Sequence, residues 1–392
     1  KTMKWKFYSL AFVAGMSILT ACSSDDNNDN DGNGGNGNGN EIENGTILKG
    51  TITSDVTLAA GNTYKLSGEY IVEEGATLHI EEGVKIIAVY DDIADYILVK
   101  QGGKINAVGT PDKPIVMTSE KEEPGAWGGI HICGRAHTNA EGGKGSSEIG
   151  GAVYGGNDDA DNSGTLQYIR LEYTGFAFDE EHEANGISFY GVGNGTIVDH
   201  CQAYKGSDDG FEFFGGSVNV SNLVAVSCSD DSFDWTEGWN GKGTNLVAYQ
   251  EAESTLGYDC DCLMECDNNG SNNAATPVAH PVLKNLILVG NGGSKQGIRL
   301  RAGTEVEIDN AKVCGKGQPL TVETALTENA LKNGTSKLTN ITLTSELSCK
   351  EGIYTHADFI AVTSNKVDAN LSYSSFEDIK KECSWMNGNW VK

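Results

Sequence analysis

The amino-acid sequence predicts an all-β protein folded as a parallel β-helix, and three observations lead to this prediction. Short segments carry apolar residues at alternate positions, which is the pattern of strands with one buried face. Equivalent segments recur mostly every 20–30 residues along the chain, which is typical of a solenoid. Glycine occurs 51 times and proline only 6 times, as a chain with many tight turns requires.

The repeating units begin at about Thr46 and each consists of a glycine followed by alternating apolar residues. Each unit carries too little apolar surface to fold alone, so stacked units must share one continuous core. The clearest units are GTLQYIRLEYTG (164–175), GTIVDHCQAYKG (195–206), GSVNVSNLVAVSC (216–228), GTNLVAYQ (243–250), PVLKNLILVGNG (281–292), EIDNAKVCGKG (307–317) and KLTNITLTSEL (337–347). A leucine-rich repeat is disfavoured because its LxxLxL pattern is missing, whereas a β-sandwich or a propeller remains an alternative.

The two ends of the chain and one internal segment depart from the repeat. Residues 1–21 have a basic start and a short apolar stretch, as in a signal peptide. Residues 22–45 are rich in Asn, Gly and Asp and are predicted to be a flexible tether. The β-helix is assigned to 46–350, and 139–164 is predicted to be a surface loop within it. Residues 351–392 are predicted to cap the last coil, because SSFEDIKKECSW (374–385) has helical spacing.

The segment Leu19-Thr20-Ala21-Cys22 resembles a lipobox, the signal for lipid attachment to a bacterial cysteine. The resemblance implies that Cys22 becomes the lipidated N-terminus and that acyl chains hold the protein on a membrane. Asp25 and Asp26 resemble the export signal of surface-displayed lipoproteins in Bacteroidota-type bacteria. We therefore expect a monomer that is lipid-anchored in the outer membrane and exposed at the cell surface, with no other membrane contact.

Charge and cysteine content exclude some functions. Asp and Glu number 55 against 28 Lys and Arg, a net charge of −27 that argues against nucleic-acid binding and is compatible with cation binding. Export permits disulfides among the ten cysteines, and Cys349 with Cys383 is a candidate pair. The cysteines of CDCLMEC (260–266) fit no standard zinc spacing.

One acidic, aromatic decapeptide occurs twice. SDDGFEFFGG (207–216) and SDDSFDWTEG (229–238) are offset by 22 residues, which is one coil. Adjacent strands lie about 4.8 Å apart, so we expect each residue of the first copy to stack on its counterpart in the second. The expected pairs are Asp208 with Asp230, Asp209 with Asp231, Phe211 with Phe233, and Glu212 with Asp234.

Alternation along the strand sorts the side chains of this motif onto two faces. If Phe211, Phe213, Phe233 and Trp235 point inward, then Glu212 and Asp234 point outward, and GYDCDC (257–262) is predicted to add Asp259 to the column. Stacked like charges repel one another and raise a pKa unless something compensates. Three hypotheses are open: the aspartates cap turns while the strand arginines Arg170, Arg299 and Arg301 neutralise the ladder, a cation such as Ca²⁺ binds the acids, or the acids contact another ligand.

Several longer motifs resemble a family of exported bacterial right-handed β-helix proteins with the pectin-lyase-like fold. They are GGKINAVGTPDKPIVMTS (102–119), PGAWGGIHICGRA (124–136), LQYIRLEYTG (166–175), DDGFEFFGGSVN (208–219) and DDSFDWTEGW (230–239). The resemblance implies a right-handed solenoid over roughly 75–303. It implies no settled activity.

Two classes of function follow from these observations. The first is a surface protein that binds a glycan or a protein partner. Its candidate ligand-binding residues are Glu212, Phe214, Asp234, Trp239 and Asp259, with Tyr190 as a further ring for stacking. Its candidate metal ligands are Asp208, Asp209, Asp230 and Asp231, and less strongly Asp159 and Asp161 of DADNSG (159–164), which resembles the start of a calcium loop.

The alternative is a polysaccharide lyase or a glycoside hydrolase. Paired carboxylates suit acid–base catalysis, and Asp208, Asp230 and Asp234 are the candidates. Arg299 or Arg301 would serve as the base of a lyase. The His-Gly and Arg-x-Lys motifs of polygalacturonase-type hydrolases are missing from the sequence, which favours the binding hypothesis.

Overall fold

The chain folds as a right-handed parallel β-helix, which confirms the predicted fold class. In the computed structural model, which describes residues 40–91, 93–178 and 182–392, 25 strands form one continuous parallel sheet and two more form a small hairpin. The predicted signal peptide, the predicted lipidation site Cys22 and most of the predicted tether lie outside the described residues. None of the described helices is long and apolar enough to cross a membrane.

The strands and helices are short and evenly distributed along the chain. The strands are β1 (Asn40–Ile42), β2 (Ile47–Ile52), β3 (Val56–Leu58), β4 (Thr63–Val72), β5 (Thr77–Ile80), β6 (Lys85–Ala88), β7 (Tyr96–Val99), β8 (Lys104–Val108), β9 (Ile115–Ser119), β10 (Ile130–Cys133), β11 (Gly145–Ser146), β12 (Val153–Tyr154), β13 (Gly164–Glu172), β14 (Ile187–Tyr190), β15 (Ile197–Tyr204), β16 (Phe211–Phe214), β17 (Asn219–Val226), β18 (Phe233–Thr236), β19 (Lys242–Tyr249), β20 (Met264–Cys266), β21 (Val282–Val289), β22 (Gln296–Leu300), β23 (Glu307–Cys314), β24 (Gln318–Val322), β25 (Lys337–Leu343), β26 (Ser348–Cys349) and β27 (Lys366–Val367). The helices are α1 (Glu253–Leu256), α2 (Ala325–Asn333), α3 (His356–Ala361) and α4 (Phe376–Glu382), with 3₁₀ turns at Glu141–Gly143 and Ser384–Met386.

Each coil of the β-helix passes through three sheets. Sheet A consists of short strands stacked one per coil, including β10, β14, β16, β18, β20, β22 and β24. Sheets B and C are formed by the first and second halves of longer strands such as β15, β17, β19, β21 and β23. Every pairing between successive coils is parallel, so each strand of a sheet repeats the position of the strand one coil earlier.

The corner between sheets B and C is made by a single residue in each long strand. That residue has φ between 53° and 63°, a region that asparagine tolerates better than most residues. It is Tyr168, His200, Asn222, Asn245, Asn285, Asn310 or Asn340 in successive coils. The side-chain amides of Asn245, Asn285 and Asn310 each donate to the preceding asparagine Oδ1 at 2.8, 3.0 and 2.9 Å, so stacked amides bond the coils together.

The interior is a continuous apolar core with an aromatic centre. As predicted, the four rings of the doubled motif point inward and belong to this core: Phe211, Phe213, Phe233 and Trp235. The rings of Phe211 and Phe233 stack with centroids 5.6 Å apart, one coil above the other. Because equivalent inward side chains of successive coils stack on one another, they fix the register in which the outward side chains also stack.

The C-terminal segment closes the end of the solenoid and then returns along its flank. Phe359 of α3 is buried in the inner core and covers the last coils. Helix α4 does not cap the last coil as the sequence suggested, because its Ile379 and the following Trp390 are buried on outward side chains of sheet C such as Val224 and Val247. Side chains alternate between the two faces of a strand, so these valines point away from the inner core, and the returning segment covers them.

The excursion at 139–164 is not a free surface loop. It contains the hairpin of β11 and β12, and its Ile149 and Tyr154 are buried in an outer apolar cluster with Tyr190 and Phe214 of sheet A. The excursion therefore covers part of the outward face of sheet A. This packing places its side chains beside the acidic column.

The predicted Cys349–Cys383 disulfide is wrong, because both thiols are free. Cys349 packs against the inner core, whereas Cys383 lies in the outer cluster under α4. Burial raises the pKa of Cys349 to about 12 and that of Cys383 to about 11, so both remain protonated at neutral pH.

Candidate functional site

The acids of the doubled motif stack on the outward face of sheet A in the predicted register. Glu212 of β16 pairs with Asp234 of β18, and Phe211 pairs with Phe233. Ser188 of β14 precedes Glu212 in the same column. We call the column Glu212–Asp234–Glu265 the acidic ladder.

The third rung of the ladder was predicted wrongly as Asp259. Glu265 of β20 stacks on Asp234, at an offset of 31 rather than 25 residues. The chain inserts helix α1 and a loop between β19 and β20, so the motif around Asp259 does not enter sheet A. Asp259 lies in that loop, where its Oδ1 accepts hydrogen bonds from the backbone N–H of Cys260 and, at 3.4 Å, from Asn291 Nδ2.

Asp209 and Asp231 stand at the entrance to the strands and bond one coil to the next. The backbone N–H of Asp231 donates to Asp209 Oδ1 at 2.8 Å, and that of Cys262 donates to Asp231 Oδ1 at 2.6 Å. Asn185 Oδ1 accepts the N–H of Asp209 in the same way at 3.2 Å. These aspartates therefore have a structural role, and each completes it with one carboxylate oxygen.

The same aspartates also bring ligand-type atoms close together. In three groups, one oxygen or sulfur atom of each member lies within 4.8 Å of the others. The groups are Asp208 with Asp209 and Asp230; Asp209 with Glu212 and Asp234; and Asp231 with Cys262 and Glu265. The structure thus assembles Asp208, Asp209, Asp230, Asp231, Glu212 and Asp234 as the sequence predicted, and it adds Glu265 and Cys262.

Burial and mutual repulsion strongly raise the pKa values of the carboxyl groups in this cluster. Burial, reinforced by neighbouring carboxylates, holds the pKa of Asp209, Glu212, Asp231 and Asp234 well above the ordinary range. For the same reasons, with Asp230 as the main neighbour, the pKa of Asp208 is raised to about 8. At neutral pH the cluster must therefore hold protons or a cation.

Asp234 is the least satisfied member of the ladder. Its Oδ1 is buried from solvent and has no hydrogen-bond partner among the described residues. Burying a polar oxygen without a partner costs roughly 1–3 kcal/mol, and more if it is charged. An electropositive ligand at this oxygen would remove that cost.

Among the described residues, the arginines form ion pairs with only the downstream end of the ladder. Glu265 is bonded to Arg299 Nη1 at 2.8 Å and to Arg301 Nη2 at 2.6 Å. Arg299 also contacts Glu323, and Arg301 contacts Asp267. The hypothesis that arginines neutralise the acids therefore holds for Glu265, whereas Glu212 and Asp234 form no ion pair with an arginine in the part of the chain that the structure describes. Because each arginine is paired with two carboxylates, both side chains are held in the protonated guanidinium form, which cannot accept a proton as the base of a lyase must.

Two further residues of the site come from loops and were not predicted. Glu148 of the excursion accepts a hydrogen bond from the Tyr190 hydroxyl at 3.3 Å, and burial raises its pKa to about 7. Asn185 Nδ2 donates to Glu212 Oε2 at 2.6 Å, which orients the first rung. No repeat or spacing in the sequence marks either residue, since the folding of the loops brings them to sheet A.

The prediction that Tyr190, Phe214 and Trp239 offer rings to a ligand is wrong. Their exposed fractions are 0%, 7% and 1%. Phe214 stacks on Tyr190 with centroids 4.4 Å apart beneath the excursion, and Trp239 stacks on Phe213 in the core. The outward rings of Tyr190 and Phe214 are buried because the excursion at 139–164 packs over them.

Asp159 and Asp161 attach the excursion to the solenoid instead of joining the acidic cluster. Asp159 Oδ1 accepts from the backbone N–H of His137 at 3.1 Å and lies 2.7 Å from its Nδ1. Asp161 Oδ2 accepts from the N–H of Arg135 at 2.9 Å. Neither residue belongs to a potential metal-binding group within the described parts of the chain.

Comparison with known proteins identifies the architecture. A family model for the pectate-lyase-like β-helix domain matches residues 50–392, which include the acidic ladder and all of sheets A to C beyond the first coil. The chain belongs to this family. No curated protein and no solved structure matches it significantly. Membership of the pectate-lyase-like β-helix family thus defines the fold and leaves the chemistry to the site.

The site of this pectate-lyase-like β-helix suits a hard cation better than a soft one. Seven carboxylates supply oxygen atoms, and no histidine belongs to the potential metal-binding groups of the described residues. Calcium takes six to eight oxygen ligands and accepts irregular geometry. The third group, with Cys262, is less suited to calcium because burial raises the pKa of this thiol, which keeps it protonated.

Proposed function

We propose that this protein is a surface-exposed, lipid-anchored binding protein whose acidic ladder holds Ca²⁺ and which contacts a glycan or a cell-surface protein partner. The observation that carries the proposal is the buried, unpartnered Asp234 Oδ1 inside a cluster of carboxylates. The lipid anchor at Cys22 rests on the resemblance of residues 19–22 to a lipobox. The net charge of −27 argues against nucleic acid as the partner.

The ligand set for the cation is the first two rungs of the acidic ladder, Glu212 and Asp234, together with Asp209 at the strand entrance. Asp209 uses Oδ1 for the N–H of Asp231, and Glu212 uses Oε2 for Asn185, so each retains a second oxygen. Asp234 Oδ1 has no other partner. A divalent cation among these oxygens converts repulsion among three closely spaced carboxylates into attraction and removes the need to protonate them.

The Ca²⁺ proposal is tested by titrating the chelator-treated protein with Ca²⁺ at pH 7.5 in a calorimeter. We expect one saturable site, and Asp234→Asn should weaken binding by about ten-fold or more, which corresponds to roughly 1.4 kcal/mol. The matched control is Asp112→Asn, which removes an exposed carboxylate outside the cluster. Equal Ca²⁺ affinity in the wild type and in Asp234→Asn would overturn the site.

The lipid anchor is tested separately from the cation. Cys22→Ala should move the protein from the membrane fraction to the soluble fraction, and protease added to intact cells should degrade only the anchored wild type. A protein that stays with the membrane after this substitution would contradict anchoring through Cys22.

A second candidate is a polysaccharide lyase or a glycoside hydrolase. Asp208 favours it, because a carboxyl group with a pKa of about 8 is protonated at neutral pH, as a general acid must be. Incubation with acidic polysaccharides should then give absorbance at 235 nm or new reducing ends, and Asp208→Asn should abolish the signal. No signal with or without Ca²⁺ would eliminate this candidate.

A further inference from the structure

An open cleft of about 720 Å³ lies beside the acidic ladder on the same face of the solenoid. One wall is the end of β18, at Thr236 and Glu237, and the others are parts of two loops that include Glu141, Ser271 and Asn272. Thr236 lies two residues beyond Asp234 on one strand, about 7 Å away along the backbone. The cleft is therefore next to the proposed cation and is separate from it.

The walls of the cleft are held in place by buried amides. Asn139 Nδ2 donates to Asn268 Oδ1 at 2.8 Å and to the carbonyl of Pro277 at 3.0 Å. Asn269 Nδ2 donates to Asn139 Oδ1 at 3.0 Å. Because Asn139 belongs to the excursion and Asn268 and Asn269 to the loop after β20, these bonds join the two loops. The cleft is consequently formed before any ligand arrives.

Glu237 is held in the cleft by two hydrogen bonds, although its backbone adopts the left-handed conformation that is unfavourable for a residue other than glycine. It has φ of +53°, whereas glycine occupies the corresponding corner one and two coils earlier, at Gly215 and Gly191. Its Oε2 accepts from Thr138 Oγ1 at 2.6 Å and from the Tyr154 hydroxyl at 2.8 Å. Its Oε1 has no partner among the described residues, so one oriented acceptor remains for a ligand.

The lining of the cleft selects a chemical class of ligand. The hydroxyls of Thr236 and Ser271 and the Nδ2 of Asn272 make no hydrogen bond to any residue that the structure describes, so they are free to pair with a ligand. Two carboxylates, Glu141 and Glu237, line the cleft, and no lysine or arginine does. A uronate or a sulfated sugar would meet like charges without compensation, whereas sugar hydroxyls can donate to the acids and accept from the hydroxyls and the amide.

We infer that this cleft binds an uncharged oligosaccharide, an inference that rests on the proposed glycan-binding function and specifies its ligand class. Recognition proceeds through hydrogen bonds, because no aromatic ring lines the cleft. The volume lies within the range of about 300–1,000 Å³ that is usual for small-ligand sites. The acidic ladder beside the cleft holds the cation and is not the sugar site.

The test is calorimetric titration of the mature protein, in the presence of Ca²⁺, with maltohexaose, cellohexaose, mannohexaose, xylohexaose and hexagalacturonate. At least one uncharged hexamer should bind with Kd of roughly 1 mM or tighter, and hexagalacturonate should not. The double variant Thr236→Val with Ser271→Ala should weaken that binding by about ten-fold. The matched control, Thr53→Val with Ser54→Ala, removes the same two hydroxyls from an exposed position on the first coils and should bind like the wild type.

The outcomes separate this inference from the proposed function. If the protein binds Ca²⁺ but binds no uncharged hexamer, or binds only hexagalacturonate, the inference is overturned and the cation site stands. If an uncharged hexamer binds and the cleft variant loses it while Ca²⁺ does not bind, the inference stands and the cation site fails. Equal sugar affinity in the cleft variant and the wild type would also overturn the inference.

Discussion

At the scale of single residues, the aspartates of the doubled motif combine structure and chemistry in one carboxylate. Asp209 and Asp231 each accept a backbone N–H from the next coil with one oxygen. Their carboxylates also lie close to Glu212, Asp234 and Glu265, where burial and repulsion make ionisation unfavourable. The hydrogen bonds between coils hold these aspartates in place. The closeness of their carboxylates to the other acids creates the candidate site.

The raised pKa of Asp208 predicts a pH dependence of stability for the cation-free protein. Its pKa is about 8 in the fold and about 3.9 when unfolded, so the folded state binds more protons between these values. The free energy of unfolding therefore falls as pH rises from about 4 to 8. Thermal unfolding in chelator should occur at a lower temperature at pH 8 than at pH 6.

Two comparisons make this pH prediction specific. Asp208→Asn should show a shallower fall in unfolding temperature between pH 6 and pH 8, because it removes one titrating group. Added Ca²⁺ should raise the unfolding temperature more at pH 8 than at pH 6, since it competes with protons for the carboxylates. A pH dependence identical in the variant and the wild type would show that Asp208 is not responsible.

At the scale of elements, the corner between sheets B and C is the feature that repeats most regularly. Asparagine fits because it tolerates positive φ and because its amide both donates and accepts along the stack. Asn245 donates to Asn222 at 2.8 Å and accepts from Asn285 at 3.0 Å. The stack thus ties together coils whose loops differ in length.

Asn245→Ala should destabilise the β-helix by about 2 kcal/mol, from two lost hydrogen bonds and the cost of alanine at positive φ. The measurement is denaturant unfolding followed by circular dichroism. Asn370→Ala is the matched control, because Asn370 is an exposed asparagine outside this corner, and it should change stability by less than about 0.5 kcal/mol. Equal unfolding of the two variants would contradict a stabilising role for the asparagine stack.

At the scale of the whole molecule, the returning C-terminal segment acts as a clamp along sheet C. Trp390 is fully buried and contacts the rings of Tyr168 and His200, with centroids 6.1 and 5.2 Å away. Arg170 Nη1 donates to the carbonyl of Asn389 at 2.8 Å, and Lys392 forms an ion pair with Glu172. The segment thereby connects residues near the end of the chain to coils formed much earlier.

Trp390→Ala should release this segment without unfolding the solenoid. Replacing a buried tryptophan by alanine costs about 3–5 kcal/mol, and here the loss falls on one segment because the inner core is untouched. Hydrogen exchange of the amides in 376–391 should accelerate, while those of sheet A stay protected. Trp390→Phe should show a smaller acceleration, and unchanged exchange in Trp390→Ala would refute the clamp.

Particular residues show how far sequence reasoning reaches. The 22-residue offset correctly predicted that Glu212 stacks on Asp234 and that Phe211 stacks on Phe233, because a parallel coil repeats its register. The same reasoning failed at Asp259, since helix α1 and its loop lengthen the next coil and put Glu265 on the third rung. Glu148 and Asn185 lie on loops that carry no period, so no pattern indicated them.

The sequence by itself determined the fold class, the fact that the two copies of the doubled motif lie on successive coils, and which side chains of the motif face outward. These properties depend on alternation and on spacing, which are local and repeat along the chain. Only the tertiary structure decided that the excursion at 139–164 buries Tyr190 and Phe214, that arginines neutralise one end of the ladder, and that two loops enclose a polar cleft. Those outcomes depend on contacts between segments far apart in the chain, and such contacts leave no periodic signal in the sequence.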